Sequence, residues 1–191
     1  MRRSRIENGP LAPRSWLGTE ARVVRHVHTC GSGHLANATR VELARLGIQR
    51  DSDYLLPPLH PPLVIACADS EADASVNDVA ARATAGGSPL LLACIAGPML
   101  RIGPLIEPGR DALAEPFSCP PPRSGNDTAP PGVAEADPRL SLRARLGALL
   151  VGAQVLSFLL GARRHCVLNR VVEVNPWSIE SKAYRVIKVR H

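Results

Sequence analysis

Two short stretches of this chain hold residue types that phosphate chemistry uses. The first is Cys30-Gly31-Ser32-Gly33-His34-Leu35-Ala36. A Gly-x-Gly between a strand and a helix lets the backbone come close to a phosphate. The free N–H groups and dipole at the helix start then favour the anion. Gly31 and Gly33 are the candidate nucleotide-binding residues, with Ala36 at the third fingerprint position. The same pattern also serves an ordinary tight turn. The second is Asp69, just after the apolar run Leu63-Val64-Ile65-Ala66-Cys67. Ligands of open α/β sheets sit outside the carboxyl ends of the strands. A carboxylate there can hold magnesium against a triphosphate. Asp69 or Ser70 would equally serve as a helix N-cap.

Other reactive side chains form no constellation. His26 and His28 alternate along one strand with no third ligand near them, which reads as an exposed strand face. Ser32 and His34 lack the G-x-S-x-G elbow. Cys30, Cys67, Cys94, Cys119 and Cys166 include no C-x-x-C pair, so neither a zinc site nor any other metal site is expected. Three of the five lie in or beside apolar runs, where a thiol packs as a small hydrophobe. The odd count and the absence of an apolar segment behind MRRSRIENGP point to a reducing cytoplasm.

The elements that would position these residues read as α/β. Residues 1–20 are an irregular basic lead. Residues 21–107 form a Rossmann-like core. Within it, 21–30 is a strand and 34–46 a helix, with Ala38, Val41, Ala44 and Ile48 on one face and Gly47 as its stop. The run 63–67 suits a strand buried on both faces. Ser70-x-x-Asp73 resembles a capping box for a helix that buries Val76, Val79, Ala80 and Ala83. Pro89–Ile95 and Met99–Ile106 read as strands joined by Gly97-Pro98. Residues 108–138 carry eight prolines and read as a flexible loop. Residues 139–191 complete the domain: a long helix opened by Asp137-Pro138, then strands Val167–Val174 and Tyr184–Arg190. The long helix is expected to bury Leu142, Leu146, Leu149, Ala153, Leu156 and Leu160. The fold class is a shortened Rossmann-like doubly wound sheet with a C-terminal helix and strand pair.

Composition excludes several function classes. Apolar residues are 45%, aromatics 3% and charged residues 21% of the 191 residues, enough for one core built from aliphatic side chains. The net charge is +6, but it is split between the ends. The first fifty residues hold nine Arg against three acids, 163–191 hold seven basic residues against two acids, and the middle is acidic by five. No basic run is interleaved with aromatics, so nucleic acid is not an expected partner. Residues 146–162 are uncharged and flanked by Arg143, Arg145, Arg163 and Arg164. A membrane span needs ~20 apolar residues. This run is at the short limit and includes Gln154, Ser157 and three glycines, so a buried core helix is the reading and no membrane is expected.

Together these pieces resemble a known arrangement. HTCGSGHLANATRVELARLGI is similar to the Gly-rich loop and first helix of ThiF-type, ubiquitin-activating-like adenylating proteins. LVIACADSEADA is similar to their strand and magnesium-holding acid, which would be Asp69. MLRIGPLIEPGRDA resembles the hairpin of the cyclodehydratase-associated, leader-peptide-binding branch of azoline-containing peptide biosynthesis. LSLRARLGALLVGAQVLSFLLGA followed by VVEVNPWS resembles that branch's tail. The resemblance covers roughly residues 21–110 and 139–180. It implies ATP-dependent adenylation of a carboxyl group, or a docking protein that presents a precursor peptide to an azoline-forming enzyme.

The chain departs from that pattern in places where the chemistry would need it. About fifteen residues, Ile48 to Pro62, stand where the family has a second strand with a ribose-binding acid. Asp51 and Asp53 are remnants at most, too close to Gly47. Ala112 and Glu115 stand where zinc-binding cysteines would follow the Pro-Gly-Arg turn. A second cysteine pair and a peptide-binding winged helix are also expected to be missing. The expectation is therefore a degenerate, non-catalytic ThiF-like partner in ribosomal-peptide modification, without cofactor. Its partners would be a precursor peptide or the modifying enzyme, and it would self-associate as a homodimer. Two alternatives stay open: an adenylyltransferase using ATP and magnesium through Gly31, Gly33 and Asp69, and a gene remnant without independent activity.

Overall fold

The computed structural model of the chain describes residues 26–48, 62–70, 73–108 and 138–185. The basic lead, most of the proline-rich segment, and Asp51, Asp53, Ala112, Glu115 and Cys119 lie outside the described residues. Ten elements follow in order. They are β1 (Val27–Cys30), α1 (His34–Arg45), β2 (Leu63–Ala68), α2 (Ala74–Ala85), β3 (Leu90–Ala96), β4 (Met99–Ile106), α3 (Pro138–Leu159), a 3-10 turn (Arg163–His165), β5 (Arg170–Asn175) and β6 (Glu180–Arg185). The α/β class read from the sequence is the class observed.

The six strands lie in the order β1-β2-β3-β4-β5-β6. β1, β2 and β3 are parallel, and β4, β5 and β6 continue as an antiparallel meander. Every residue of β2 is buried, because helices cover both faces of that strand. Leu63, Ile65 and Cys67 enter the larger core under α1 and α3, while Val64 and Ala66 join Leu90 and Leu92 under α2. Pro104 follows Gly103 within β4 and has no N–H to give. The β3–β4 register shifts between Leu91 and Ala93, opposite those residues.

α1 and α2 lie on opposite faces, as in a doubly wound sheet, yet β1, β2 and β3 step across the sheet in one direction. Residues 49–61, which join α1 to β2, lie outside the described residues.

Each helix departs from its expected face or start for a local reason. α1 buries Leu35, Ala36, Thr39 and Leu43, and Val41 points outward, because α1 packs against both the sheet and the neighbouring α3. It ends where expected: Gly47 has φ 70°, and Ile48 N–H returns to the Leu43 carbonyl at 3.0 Å. α2 starts later than a cap at Ser70 would put it. Asp73 is the N-cap, its carboxylate accepting from Ser75 N–H at 3.0 Å. Val79, Ala80 and Ala83 are buried as expected, with Val76 packed at the edge.

α3 begins at Pro138, the first helical position expected of it. It is apolar and long enough to cross a membrane, at 22 residues and mean hydropathy 1.4 over its best window. One side of it is packed in the core. That side is Ala144, Gly147, Ala148, Val151, Gly152, Val155 and Phe158, not the expected leucine row. Small residues win this face because α1 and β4 come close: a Cβ on Gly147 would lie 2.8 Å from the Leu35 side chain. Gln154 sits in this apolar helix because its Oε1 accepts from Val167 N–H at 2.9 Å. The closing hairpin is tighter than expected. Asn169 at φ 53° delays β5 to Arg170, and Asn175 turns the chain by accepting from Trp177 N–H at 3.0 Å.

Candidate functional site

The loop after β1, the start of α1 and the end of β2 meet at the carboxyl edge of the parallel strands, so Gly31, Gly33 and Asp69 come together. Their arrangement is specific. Asp69 Oδ2 accepts from His34 N–H at 2.6 Å, and Oδ1 accepts from Leu35 N–H at 2.8 Å. The carboxylate thus occupies the first free donors of α1, where the helix dipole favours negative charge. Gly33 is the N-cap residue of α1, and Asp69 supplies the capping carboxylate from the end of β2 instead of capping the helix that follows it.

The two glycines are explained by the same approach. Gly31 has φ 112°, and a Cβ there would lie 2.1 Å from the Cys67 carbonyl oxygen. Gly33 has φ 97°, and its Cβ would lie 2.4 Å from Asp69 Oδ2. Gly31 needs glycine to fit against the β2 backbone, and Gly33 needs it for its positive φ and for the Asp69 carboxylate to reach the helix start.

Among the described residues, Arg40 is a cation bonded to this loop, a role its sequence position alone does not signal. Its guanidinium donates to the Gly31 carbonyl at 2.7 Å, the Thr29 carbonyl at 3.2 Å and Asn37 Oδ1 at 2.9 Å. It holds the loop by its carbonyl side while Asp69 holds the helix by its N–H side. The only sequence signal was spacing: Asn37 and Arg40 lie one and two turns into the helix, on the side facing its start.

Below the loop, Cys67 is fully buried and its thiol bonds the Thr39 hydroxyl at 3.7 Å. Burial, only partly offset by the Thr39 hydrogen bond, pushes the thiol up to about 12. It is a neutral core group and not a nucleophile.

Among the described residues no three His, Cys, Asp or Glu side chains gather in a metal-binding group. His26 and His28 do not share an exposed face: His26 precedes β1 and is buried, and His28 is exposed. Two ion pairs brace the antiparallel half. Arg101 Nε lies 2.6 Å from Glu173 Oε1 across β4 and β5, and Arg163 pairs with Glu107 while stacking over Phe158 at 4.4 Å.

No family model and no curated protein sequence matches the chain. Solved structures do. It is similar to Escherichia coli MccB bound to AMPCPP and MccA, with TM-score 0.60, 14% identity, and 88% of this chain and 66% of that chain covered. It is similar to a heterocyclase in complex with substrate and cofactor, with TM-score 0.54, 14% identity, and 88% and 25% covered. The heterocyclase TruD gives TM-score 0.52, 18% identity, and 85% and 27% covered. The chain has their fold. It spans about two thirds of the length of MccB and about a quarter of each heterocyclase.

Proposed function

We propose that this chain is a degenerate, non-catalytic ThiF-like partner protein in ribosomal-peptide (azole or azoline) modification, working in the cytoplasm beside a precursor peptide or the enzyme that modifies it. The fold it shares with two heterocyclases and MccB supports the setting. The observation that carries the non-catalytic part is the Asp69 carboxylate on His34 N–H and Leu35 N–H. Those donors are the ones a phosphate would take. Arg40, the cation at hand for a phosphate clamp, is committed to backbone carbonyls. In this arrangement the residues do not fit magnesium and a triphosphate, and no adenylation step is derived through them.

The test is calorimetric titration of the full chain with Mg-ATP, alongside a pyrophosphate-release assay with candidate peptides. No binding and no release are expected. An adenylyltransferase remains the second reading, because Gly31, Gly33 and Asp69 do converge at one strand edge. Micromolar Mg-ATP binding that disappears in both Gly33→Val and Asp69→Ala would put that reading first.

A further inference from the structure

α3 and the residue after it carry a row of apolar side chains outside the buried face of the helix, of which Leu146 alone also packs against the edge of the core. Leu142, Leu146, Leu149, Ala153, Leu156 and Leu160 are spaced four, three, four, three and four apart. That is the a and d spacing of a coiled-coil heptad. Leu142 is 52% exposed, Leu149 54% and Leu160 75%. Ala153 is exposed, and Leu146 and Leu156 are half-buried. Beside the row, α1 presents Val41, also 52% exposed. An open cleft of about 370 Å³ runs between the two helices, with Ala38, Val41, Arg145 and Leu149 on its walls together with Arg45 and its ion-pair partner Glu42.

An apolar strip with a 3.5-residue period is complementary to another helix, whose side chains enter the holes between these leucines. Charge selects which helix. α3 contains no acidic residue and carries Arg139, Arg143 and Arg145 near its start. A second copy laid parallel would set these arginines against themselves. Laid antiparallel about Val151, it would bring the arginines at the start of α3 near the exposed Arg164 of the other copy. Both arrangements place like charges together, which costs free energy and selects against them.

We propose that this strip and the adjoining cleft dock an amphipathic helix of another protein, with leucine-type anchors at three- and four-residue spacing and Asp or Glu along its flanks. A partner of about five turns would cover the row, roughly 27 Å long. Gly31, Gly33 and Asp69 do not line this surface, while His34 and Asn37 of α1 reach its rim.

The experiment uses the full chain and fluorescein-labelled peptides of about four heptads, with Leu at a and d. One peptide carries Glu at e and g, a second carries Lys there, and a third is a scramble of the first. The Glu peptide is expected to bind saturably by anisotropy. Leu149→Asp and Leu160→Asp should each weaken it about tenfold or more, as should Lys in place of Glu. Circular dichroism and the Tm should be unchanged in both variants. Failure of the Glu peptide to saturate would overturn the proposal, as would equal binding of the scramble. So would a dimer in sedimentation that Leu149→Asp dissolves, which would give the strip to a second copy. Adhesion to phosphatidylglycerol vesicles that Leu149→Asp abolishes would give it to a lipid surface instead.

Discussion

Asp69 and His34 are thirty-five residues apart in sequence, yet the carboxylate of one caps the helix that the other begins, at 2.6 Å. This contact joins the ends of β1 and β2 into one structural unit. Asp69→Ala leaves two helix N–H groups without their acceptor and is expected to cost about 1–2 kcal/mol. Urea unfolding of the variant, read as a lower midpoint at unchanged slope, checks this.

The glycines separate steric need from conformational need. Gly31→Ala sets a methyl against the Cys67 carbonyl oxygen at a φ of 112°. It is expected to cost ~3 kcal/mol or more, or to abolish folding. Gly47→Ala has a similar positive φ, but its Cβ would meet nothing within 4 Å. It should cost only about 1 kcal/mol. Equal Tm losses in the two variants would contradict the close approach at Gly31.

α3 predicts opposite outcomes for neighbouring positions. Val151 is fully buried, so Val151→Asp places an unpaired charge in the core and should unfold the chain. Leu149→Asp changes a residue that is 54% exposed and should shift stability by no more than ~0.5 kcal/mol. The native chain should be recovered without detergent. Retention in membranes after carbonate washing would show instead that α3 leaves the sheet.

Cys67 predicts a pH effect with a defined sign. Its thiol is raised from 9.0 to about 12 in the folded protein. Between those values the unfolded chain loses this proton while the folded chain keeps it. Stability from this group is therefore fully present below pH 9 and falls as pH rises toward 12. Cys67→Ala should make the alkaline decline of Tm shallower, and the native thiol should resist Ellman's reagent at pH 8 until the protein is unfolded.

Much of the architecture was legible because local signals agreed with tertiary ones. β2 and β3 are unbroken apolar runs, and α2 lies between Asp73 and Gly86 with its apolar residues on one side. The faces of α1 and α3 differ from the expected ones for a common reason. Where two helices cross closely, Gly147, Ala148 and Gly152 fit and leucine does not, so the leucine row that looks most like core is turned outward. The site was half legible. Asp69 stands at the strand end expected of it, but the helix it caps is fixed by chain pairing across the sheet. Arg40 was invisible as a loop brace, since its acceptors are backbone carbonyls that every residue possesses.

β1 and β2 are sheet neighbours while α1 and α2 lie on opposite faces, and this marks where the molecule could be lengthened. Add one strand on the side of β1 away from β2, between Ile48 and Leu63, and return from it over the face that α2 occupies. Both new connections then wind as the β2–α2–β3 unit does, and β2 through β6 keep their present neighbours. The winding would reverse once, at the gap between β1 and β2 where Gly33 and Asp69 already face each other. As it stands, the chain reads its strands from one edge of the sheet to the other like words on a single line. A graft at this junction would fold that line back on itself without moving a residue of the antiparallel half.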